Sequence, residues 1–406
     1  MQSEQRILHL ALLPFWSAIA WHAVTLAKSL RNRGHACWLA ARRDSPLAAH
    51  ATREGLPIPQ ELLLPDLRPW NWLGAVAALR RFLTAQRIDL IFVHTGQGHL
   101  EAHTARRGLP SALVRVRADA RMPRGGRLHR WLYEHGAERI AVTGRYMLQE
   151  HLAPMQLEEG RLAVLPPGID LDQVERATAE DRGQARAEIR TRYEIPSGVP
   201  LIGVIGRLSP IKGHGVLLRA AAQMARDGRH FRVLIVGDEK EVSPASLREQ
   251  ARELGIADRI VLTGEVADPL LHAAALDVGV IPSLGSEAVS RSALEFMSVG
   301  VPVVGTTVGI LPEVIDVDEL LVSPDRPEPL AAALARLLDD PTWAGRLGER
   351  LYARVKAEYS LDVLGERAEQ IMAAALQVRR QEQPGAWDEP EDAQAGAPVG
   401  NHHRAE

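Results

Sequence analysis

Short apolar runs alternate with amphipathic stretches along most of this chain. In the first half the runs read as strands at Ile7–Leu13, Ala36–Ala40, Leu90–His94, Leu113–Val116, Arg139–Val142 and Leu162–Leu165. Helical spacing falls between them, over Ile19–Arg33, Leu73–Gln86, Arg127–His135 and Arg145–Ala153. Pro166-Pro167-Gly168 interrupts the pattern, and a polar stretch from Asp172 to Tyr193 follows, which places a hinge there. The alternation then restarts, with strands at Leu201–Gly206, Arg232–Val236, Arg259–Leu262, Val278–Ile281 and Val301–Gly305. The intervening helices cover Gly215–Arg226, Pro244–Leu254, Pro269–Ala275 and Glu287–Val299. Three late helices cover Pro329–Leu338, Pro341–Glu358 and Leu361–Arg380. Strands alternating with helices predict parallel α/β sheets, here in two similar doubly wound, Rossmann-like halves. The last stretch, 384–406, turns to Pro, Gly, Ala, Asp and Glu and is expected to be a disordered tail.

Composition narrows the class. A chain of 406 residues holds two domains or one large one. Its 46% hydrophobic content is that of a globular protein with a sizeable core. A net charge of -3 gives no global pull towards nucleic acid, so none is expected as a partner. The single cysteine, Cys37, lies in an apolar strand and reads as packing. Met1 to Arg6 is polar and runs straight into a strand, so no signal peptide is predicted. No run approaches the ~20 apolar residues of a membrane span. A cytoplasmic location is the expectation, with attachment to a membrane surface compatible with it.

Chemistry concentrates in the second half. Ser286-Glu-Ala-Val-Ser-Arg-Ser-Ala-Leu-Glu295 lies between two apolar strands. Its acids, Glu287 and Glu295, stand at the carboxyl end of a strand, where open α/β sheets bind ligands. On one helix, eight residues would set them roughly 12 Å apart along the axis, about the length of a nucleotide-sugar. Each also has a plainer reading, as a solvent-facing or first-turn acid. Glu295, however, sits between Leu294 and Phe296, and a buried carboxylate there needs partners. Earlier, the strand Leu201–Gly206 ends in Arg207-Leu-Ser-Pro-Ile-Lys212-Gly213, which opens a helix. Two cations at a helix N-terminus suit a diphosphate; a solvated loop with two surface cations is the bland alternative. The P-loop ending Gly-Lys-Ser/Thr is absent, and Gly203 and Gly206 lack the third glycine of a dinucleotide fingerprint.

Taken together, Gly206-Arg-Leu-Ser-Pro-Ile-Lys-Gly213, Leu234-Ile-Val-Gly-Asp238, Val261-Leu-Thr-Gly-Glu-Val266, the Glu-x7-Glu segment, Gly300-Val-Pro-Val-Val-Gly305 and Pro312-Glu313-Val314 resemble the retaining nucleotide-sugar glycosyltransferases of family 4. The segment around Glu287 looks most like members that build lipopolysaccharide or related envelope glycans. The resemblance implies the GT-B fold, two Rossmann-like domains facing across a cleft. It implies an acceptor-binding domain over 1–170, a donor domain over 171–360, and a helix near 361–380 that packs back on the first domain. It implies that Arg207 and Lys212 bind the donor diphosphate and stabilise the leaving group, and that Glu295 holds the ribose. Glu287 would meet sugar hydroxyls or the developing charge at the anomeric carbon, with Arg207 and Lys212 as the other catalytic groups. Val266 would lie near the base, and the amides of Ser290 and Arg291 near the phosphates; relatives often have Gly at 290. No metal and no other cofactor are expected, the two cations taking the metal's place. Asp316-Val317-Asp318 has the spacing of a metal motif but lies past the cleft strands.

The first half matches less specifically, through Leu30-Arg-Asn-Arg-Gly-His35, Asp89-Leu-Ile-Phe-Val-His94-Thr95, Ala137-Glu-Arg-Ile-Ala-Val-Thr143 and Leu165-Pro-Pro-Gly-Ile-Asp170. Two features depart from the family. The usual glycine-rich first loop reads Pro14-Phe-Trp-Ser-Ala-Ile-Ala20, and a usual His after the fifth strand is replaced by Arg117-Ala118-Asp119. His94 either faces the cleft or sits in the core. Trp70-Asn-Trp72 reads as loop packing, with contact to lipid or sugar as the alternative. Arginines 115, 117, 121, 124, 127 and 130 face one acid, Asp119, and suit a solvated face, a phosphorylated acceptor or an anionic membrane surface. His94, Arg117 and Asp119 are therefore the acceptor-side candidates. The expected activity is sugar transfer from a nucleotide-diphosphate donor to a glycan or glycolipid in envelope synthesis, with contact to the inner membrane. The alternative is a non-catalytic relative that binds nucleotide or glycan as a partner subunit.

Overall fold

The computed structural model describes residues 3–65, 69–123, 126–178 and 182–383. The expected tail at 384–406 and Arg124 lie outside the described residues. The first half runs β1 (Arg6–Ala11), α1 (Ala18–Asn32), β2 (Ala36–Arg42), α2 (Pro46–Arg53), β3 (Leu63–Leu64), α3 (Pro69–Ala85), β4 (Leu90–Val93), α4 (Gly96–Ala105), β5 (Ala112–Arg117), α5 (Arg127–His135), β6 (Arg139–Val142), α6 (Arg145–Met147) and β7 (Leu162–Val164). Helices α7 (Leu171–Thr178) and α8 (Arg182–Arg192) lead into the second half. There β8 (Leu201–Ile205), α9 (His214–Arg226), β9 (Arg232–Val236), α10 (Pro244–Glu253), β10 (Ile260–Gly264), α11 (Pro269–Ala274), β11 (Val278–Ile281), α12 (Arg291–Ser298), β12 (Val303–Thr306), α13 (Leu311–Ile315) and β13 (Leu321–Val322) follow in order. Helices α14 (Pro327–Asp339), α15 (Pro341–Glu358) and α16 (Leu361–Glu382) close the chain.

Among the described residues these strands form two parallel sheets, ordered β3-β2-β1-β4-β5-β6-β7 and β10-β9-β8-β11-β12-β13. Parallel strands covered on both faces read as continuous apolar runs, as in Leu90-Ile-Phe-Val93 and Val278-Gly-Val-Ile281. In each sheet the order reverses once, between β1 and β4 and between β8 and β11. A ligand crevice opens outside the carboxyl ends of such neighbours. The register Val278↔Ile202 and Gly279↔Gly203 sets β8 and β11 side by side. Both glycines are needed for helix packing. A Cβ on Gly203 would fall 2.3 Å from Leu276, and one on Gly279 2.6 Å from Phe296.

The last helix lies on the first half. Ser29 Oγ on α1 donates to Leu361 O at 2.6 Å, and Arg33 pairs with Glu369 at 2.8 Å. Ile169 N also donates to Tyr359 O at 2.7 Å where the chain passes between the halves. Among the described residues, no helix is long and apolar enough to cross a membrane.

Several elements differ from the pattern-based expectation. Helix α4 carries two glycines and little amphipathicity, so nothing in its spacing marks a helix. Thr95 caps it by accepting from Gly98 N at 3.3 Å, and Gly98 is bare because Leu10 lies against it. The polar stretch after the hinge is helical in α7, which buries Val174, and in α8, which buries Ala185 and Ile189. Trp70-Asn-Trp72 falls on the first turn of α3 rather than on a loop. The most consequential difference is at Glu287. The expected helix from 287 to 299 begins only at Arg291, because Ser286 (φ 62°) and Ser290 (φ 48°) take left-handed backbone. Glu287 therefore belongs to a loop, and the two acids are not two turns apart on one helix.

Candidate functional site

The site is assembled by the loops after β8 and β11. From β8 the chain passes Gly206, turns at Arg207 and enters a short helical turn at Pro210–Lys212. Leu208 N donates to Asp238 O at 2.7 Å, which ties this loop to the one after β9. Gly213 (φ 70°) then starts α9, and a Cβ there would fall 1.8 Å from Pro282 O. Only glycine lets the helix start press this closely against the end of β11. Leu284 N donates to Ile211 O at 2.8 Å and joins the two loops.

This joint places Lys212 Nζ 2.5 Å from Glu287 Oε1. Ser283 Oγ donates to the same oxygen at 2.6 Å. Only 3% of the Glu287 side chain is exposed, against 22% for Lys212. The carboxylate is thus set in the wall, with the ammonium on its open side. Its backbone is fixed as well. Ile310 N donates to Glu287 O at 2.8 Å, and a Cβ on Gly309 would collide with that oxygen. Tyr146, from the first half, places its hydroxyl 3.4 Å from the same carbonyl. Burial, and next the Glu287 charge, raise the Tyr146 phenol far above its ordinary range, so it stays a protonated donor. His214, which opens α9, is pushed down to about 4, chiefly by burial, so a neutral ring stands behind Lys212.

Helix α12 presents its N-terminus beside this loop. Ser290 caps it in left-handed backbone, the conformation that explains why glycine suits this position. Its hydroxyl is buried with no hydrogen-bond partner among the described residues. Glu295 is 4% exposed and finds a partner within its own helix, where Arg291 Nε donates to Oε1 at 2.7 Å. The i, i+4 spacing of Arg291 and Glu295 was readable in the sequence as an ion pair. Arg207 stands exposed at the end of β8, with no side-chain partner among the described residues. Val266 follows β10 at the sheet edge and packs half-buried on the second-half core. The structure thus joins Lys212 to Glu287 and Arg291 to Glu295, and leaves Arg207 and Val266 outside both pairs. Ser283 and Tyr146 join the site with no motif to announce them, and Glu313, part of the Pro312-Glu313-Val314 motif, takes a role across the cleft that the motif alone does not state. Asp316 is held by Arg354 at 2.9 Å.

Across the cleft, the loop after β6 docks on the second half. Glu313 accepts from Arg145 N at 2.8 Å and Tyr146 N at 2.7 Å, capping that turn from the other domain. Thr143 Oγ1 donates to Ala288 O. Arg117, at the end of β5, is buried and donates to Tyr133 Oη and Arg121 O, each at 2.6 Å. Arg115, two residues earlier, donates to Val93 O at 2.9 Å and is also buried. Neither arginine has a carboxylate partner among the described residues. Asp119 spends its Oδ1 on Arg121 N at 3.0 Å. His94 lies in the core, 2% exposed, with Nε2 3.2 Å from His9 Nδ1. The glycine-free first loop is a capped helix start, since Ser17 accepts from Ala20 N at 3.3 Å and Trp16 stacks on His50 at 3.8 Å.

Comparison with known proteins gives one family match in each half. Residues 199–340 match the family described as Glycosyl transferases group 1, and residues 19–173 match Glycosyltransferase Family 4. A 2-deoxystreptamine glucosyltransferase of Streptomyces kanamyceticus is 35% identical over 183 residues, 44% of this chain and 45% of that protein. A D-inositol 3-phosphate glycosyltransferase of Corynebacterium glutamicum is 34% identical over 225 residues, 52% of each. The chain thus spans about half the length of these curated relatives. Among solved structures, a glycosyltransferase from Rickettsia africae superposes with a TM-score of 0.82 at 18% identity, over 93% of this chain and 100% of that one. Anabaena HepE in complex with UDP gives 0.79 at 19% identity, over 91% and 100%. At these identities the likeness is one of fold.

Proposed function

We infer that this chain, whose two halves fall in the group 1 and family 4 glycosyltransferase superfamily on the GT-B fold, is a glycosyltransferase that moves a sugar from a nucleoside diphosphate to a hydroxyl. The observation that carries this reading is the junction of Lys212 with Glu287 at the crevice between β8 and β11. A structural ion pair would not need two loops pressed together through a bare Gly213. A site that grips an anion beside a sugar would. The UDP bound to the Anabaena protein of similar fold supports a nucleotide as this chain's ligand.

In this reading Lys212 turns from Glu287 to the donor diphosphate, and the exposed Arg207 joins it. Ser290 and Arg291 offer backbone amides at the start of α12, a helix end that favours negative charge. Glu295 takes the ribose and Val266 lies by the base. Glu287, freed of its cation, meets the sugar hydroxyls and the positive charge that develops at the anomeric carbon. Transfer retains configuration by attack on the face that the diphosphate leaves. The bond from the anomeric carbon to the phosphate oxygen breaks as the acceptor oxygen bonds, and a phosphate oxygen takes the acceptor proton. Catalysis is then positioning and charge stabilisation. The two cations do the work of a metal, so activity should survive a chelator.

The first half takes the acceptor. Arg117, buried without a carboxylate, and Asp119 border the cleft, with His94 behind them. A glycan or glycolipid acceptor at the cytoplasmic face of the inner membrane, as in lipopolysaccharide synthesis, is supported by the rim around α5. There Met122, Leu128 and Trp131 are exposed among Arg121 and Arg127. The names of the curated relatives favour a second reading, a small polyol or aminocyclitol acceptor, and Arg117 suits one that carries phosphate. Transfer to glycolipid in vesicles, set against transfer to a soluble phosphorylated polyol, separates the two. The donor is tested by a thermal-shift panel of UDP-, GDP- and ADP-sugars. A ligand at ~100 times its Kd stabilises the fold by about 2.7 kcal/mol. No shift with any of them would sink the reading.

A further inference from the structure

Arg291 does more than open α12. Its Nε donates to Glu295 Oε1 at 2.7 Å, and its guanidinium carbon lies 5.6 Å from the ring centre of Trp21 on α1. Trp21 belongs to the first half, yet it packs half-buried against the apolar core of the second. One side chain therefore touches a carboxylate of one domain and an indole of the other. From α2, His50 stands near enough for its ring to be lowered, first by burial, then by the charges of Arg53 and Arg291.

A surface i, i+4 pair would explain the bond between Arg291 and Glu295. It does not explain a guanidinium laid on an indole across the cleft, an arrangement that gains further attraction from the ring face. Nor is this a surface pair, because Glu295 is 4% exposed. A carboxylate so deep needs its charge met. Arg291 meets it at Oε1, and no described residue hydrogen-bonds Oε2. That leaves one oxygen held and one available.

We propose that Arg291 is a positioning residue for the nucleotide. It turns Glu295 so that Oε2 faces the ribose hydroxyls, and it links that contact to closure of the two domains through Trp21. The inference rests on the nucleotide-sugar reading and deepens it. Without Arg291 the carboxylate loses its orientation. Without Trp21 the guanidinium loses its hold on the first domain, and binding no longer draws the halves together.

The test is calorimetric titration of UDP, GDP and ADP into the full chain, followed by the nucleotide that binds. Arg291→Leu is expected to raise its Kd roughly tenfold, the scale of one lost hydrogen bond to a charged group. Arg291→Lys, which still brings a cation to Glu295, should recover most of that loss. Trp21→Leu should weaken binding severalfold, and the double variant Arg291→Leu with Trp21→Leu should lose less than the product of the two. Melting temperatures without nucleotide isolate a merely structural role, which would move Tm and leave Kd and its rescue by lysine unchanged. Wild-type affinity in Arg291→Leu overturns the inference alone. Strictly multiplicative losses overturn the link to Trp21. A wild type that binds none of the three nucleotides overturns the nucleotide reading and this inference with it.

Discussion

Lys212 Nζ and Glu287 Oε1 lie 2.5 Å apart, although 75 residues separate them in sequence. Each comes from the loop that leaves one of the two strands at the switch point of the second sheet. Lys212→Ala removes the cation proposed to hold the diphosphate and leaves Glu287 buried with Ser283 alone. Turnover should fall by about 10²–10³, the loss seen for one preorganised charge-stabilising contact. Glu287→Gln keeps the hydrogen bond from Ser283 and removes only the charge, so it should lower kcat with little change in melting temperature. Steady-state rates beside thermal melts measure both. Wild-type turnover in the two variants would remove this pair from catalysis.

Gly213 is the joint that makes the pair possible. Gly213→Ala puts a Cβ 1.8 Å from Pro282 O at a φ of 70°, so α9 must move away from β11. Donor binding should be lost together with stability. Gly228, at the other end of α9, also has positive φ (78°) but nothing within 4 Å of a Cβ. Gly228→Ala should cost only the backbone term, about 1 kcal/mol, and leave donor affinity intact. Urea unfolding and nucleotide titration on both variants separate strain from collision.

Glu313 caps a turn that belongs to the other domain. Glu313→Ala leaves Arg145 N and Tyr146 N without their acceptor. The loss should be about 2 kcal/mol, since hydrogen bonds to charged groups are worth roughly 1.5–3 kcal/mol and this turn is partly open to water. Small-angle scattering should show a larger radius of gyration as the loop after β6 comes off the second half. An unchanged radius would mean that the other contacts between the halves, among them Thr143 with Ala288, Arg291 with Trp21 and Ile169 with Tyr359, set their angle without Glu313.

Three buried histidines, His9, His22 and His94, make the first half acid-sensitive. Burial pushes His9 down to about 3 and His22 to about 4, and burial with the neighbouring rings pushes His94 well below its ordinary value. Their folded-state values lie below the unfolded value of 6.5, so the unfolded chain binds more protons beneath that pH. Stability from these groups is full above about pH 6.5 and falls as pH drops from there towards 4. Urea midpoints between pH 7.5 and 4.5 should decline, and His22→Leu should flatten the slope. An equal slope in that variant would contradict the assignment.

Much of this was legible in the sequence, and the gaps have physical causes. β6, β9, β11, α5 and α15 begin and end where the apolar period places them. Lys212 was visible as a cation on a Gly/Pro loop that opens a helix, Glu287 as an acid at a strand's carboxyl end, and Glu295 as a charge between Leu294 and Phe296. Three things were not legible. The left-handed turns at Ser286 and Ser290 flank Glu287, whose carbonyl packs against Gly309 and accepts from Ile310 N, a tertiary contact that serine does not announce. Helix α4 forms because Leu10 and a Thr95 cap favour it, against its own glycines. Glu313 and Tyr146 act across the domain boundary, and such a contact carries no local period.

The central claim, that the Lys212–Glu287 crevice holds an activated sugar, is tested most directly by nucleoside diphosphate release. Wild-type protein incubated with UDP-, GDP- and ADP-sugars, without acceptor, should slowly release nucleoside diphosphate from one of them. Lys212→Ala should not. A wild type that binds one of these donors yet never releases its diphosphate would be a binding subunit rather than a transferase, and equal release by both proteins would place the chemistry somewhere else.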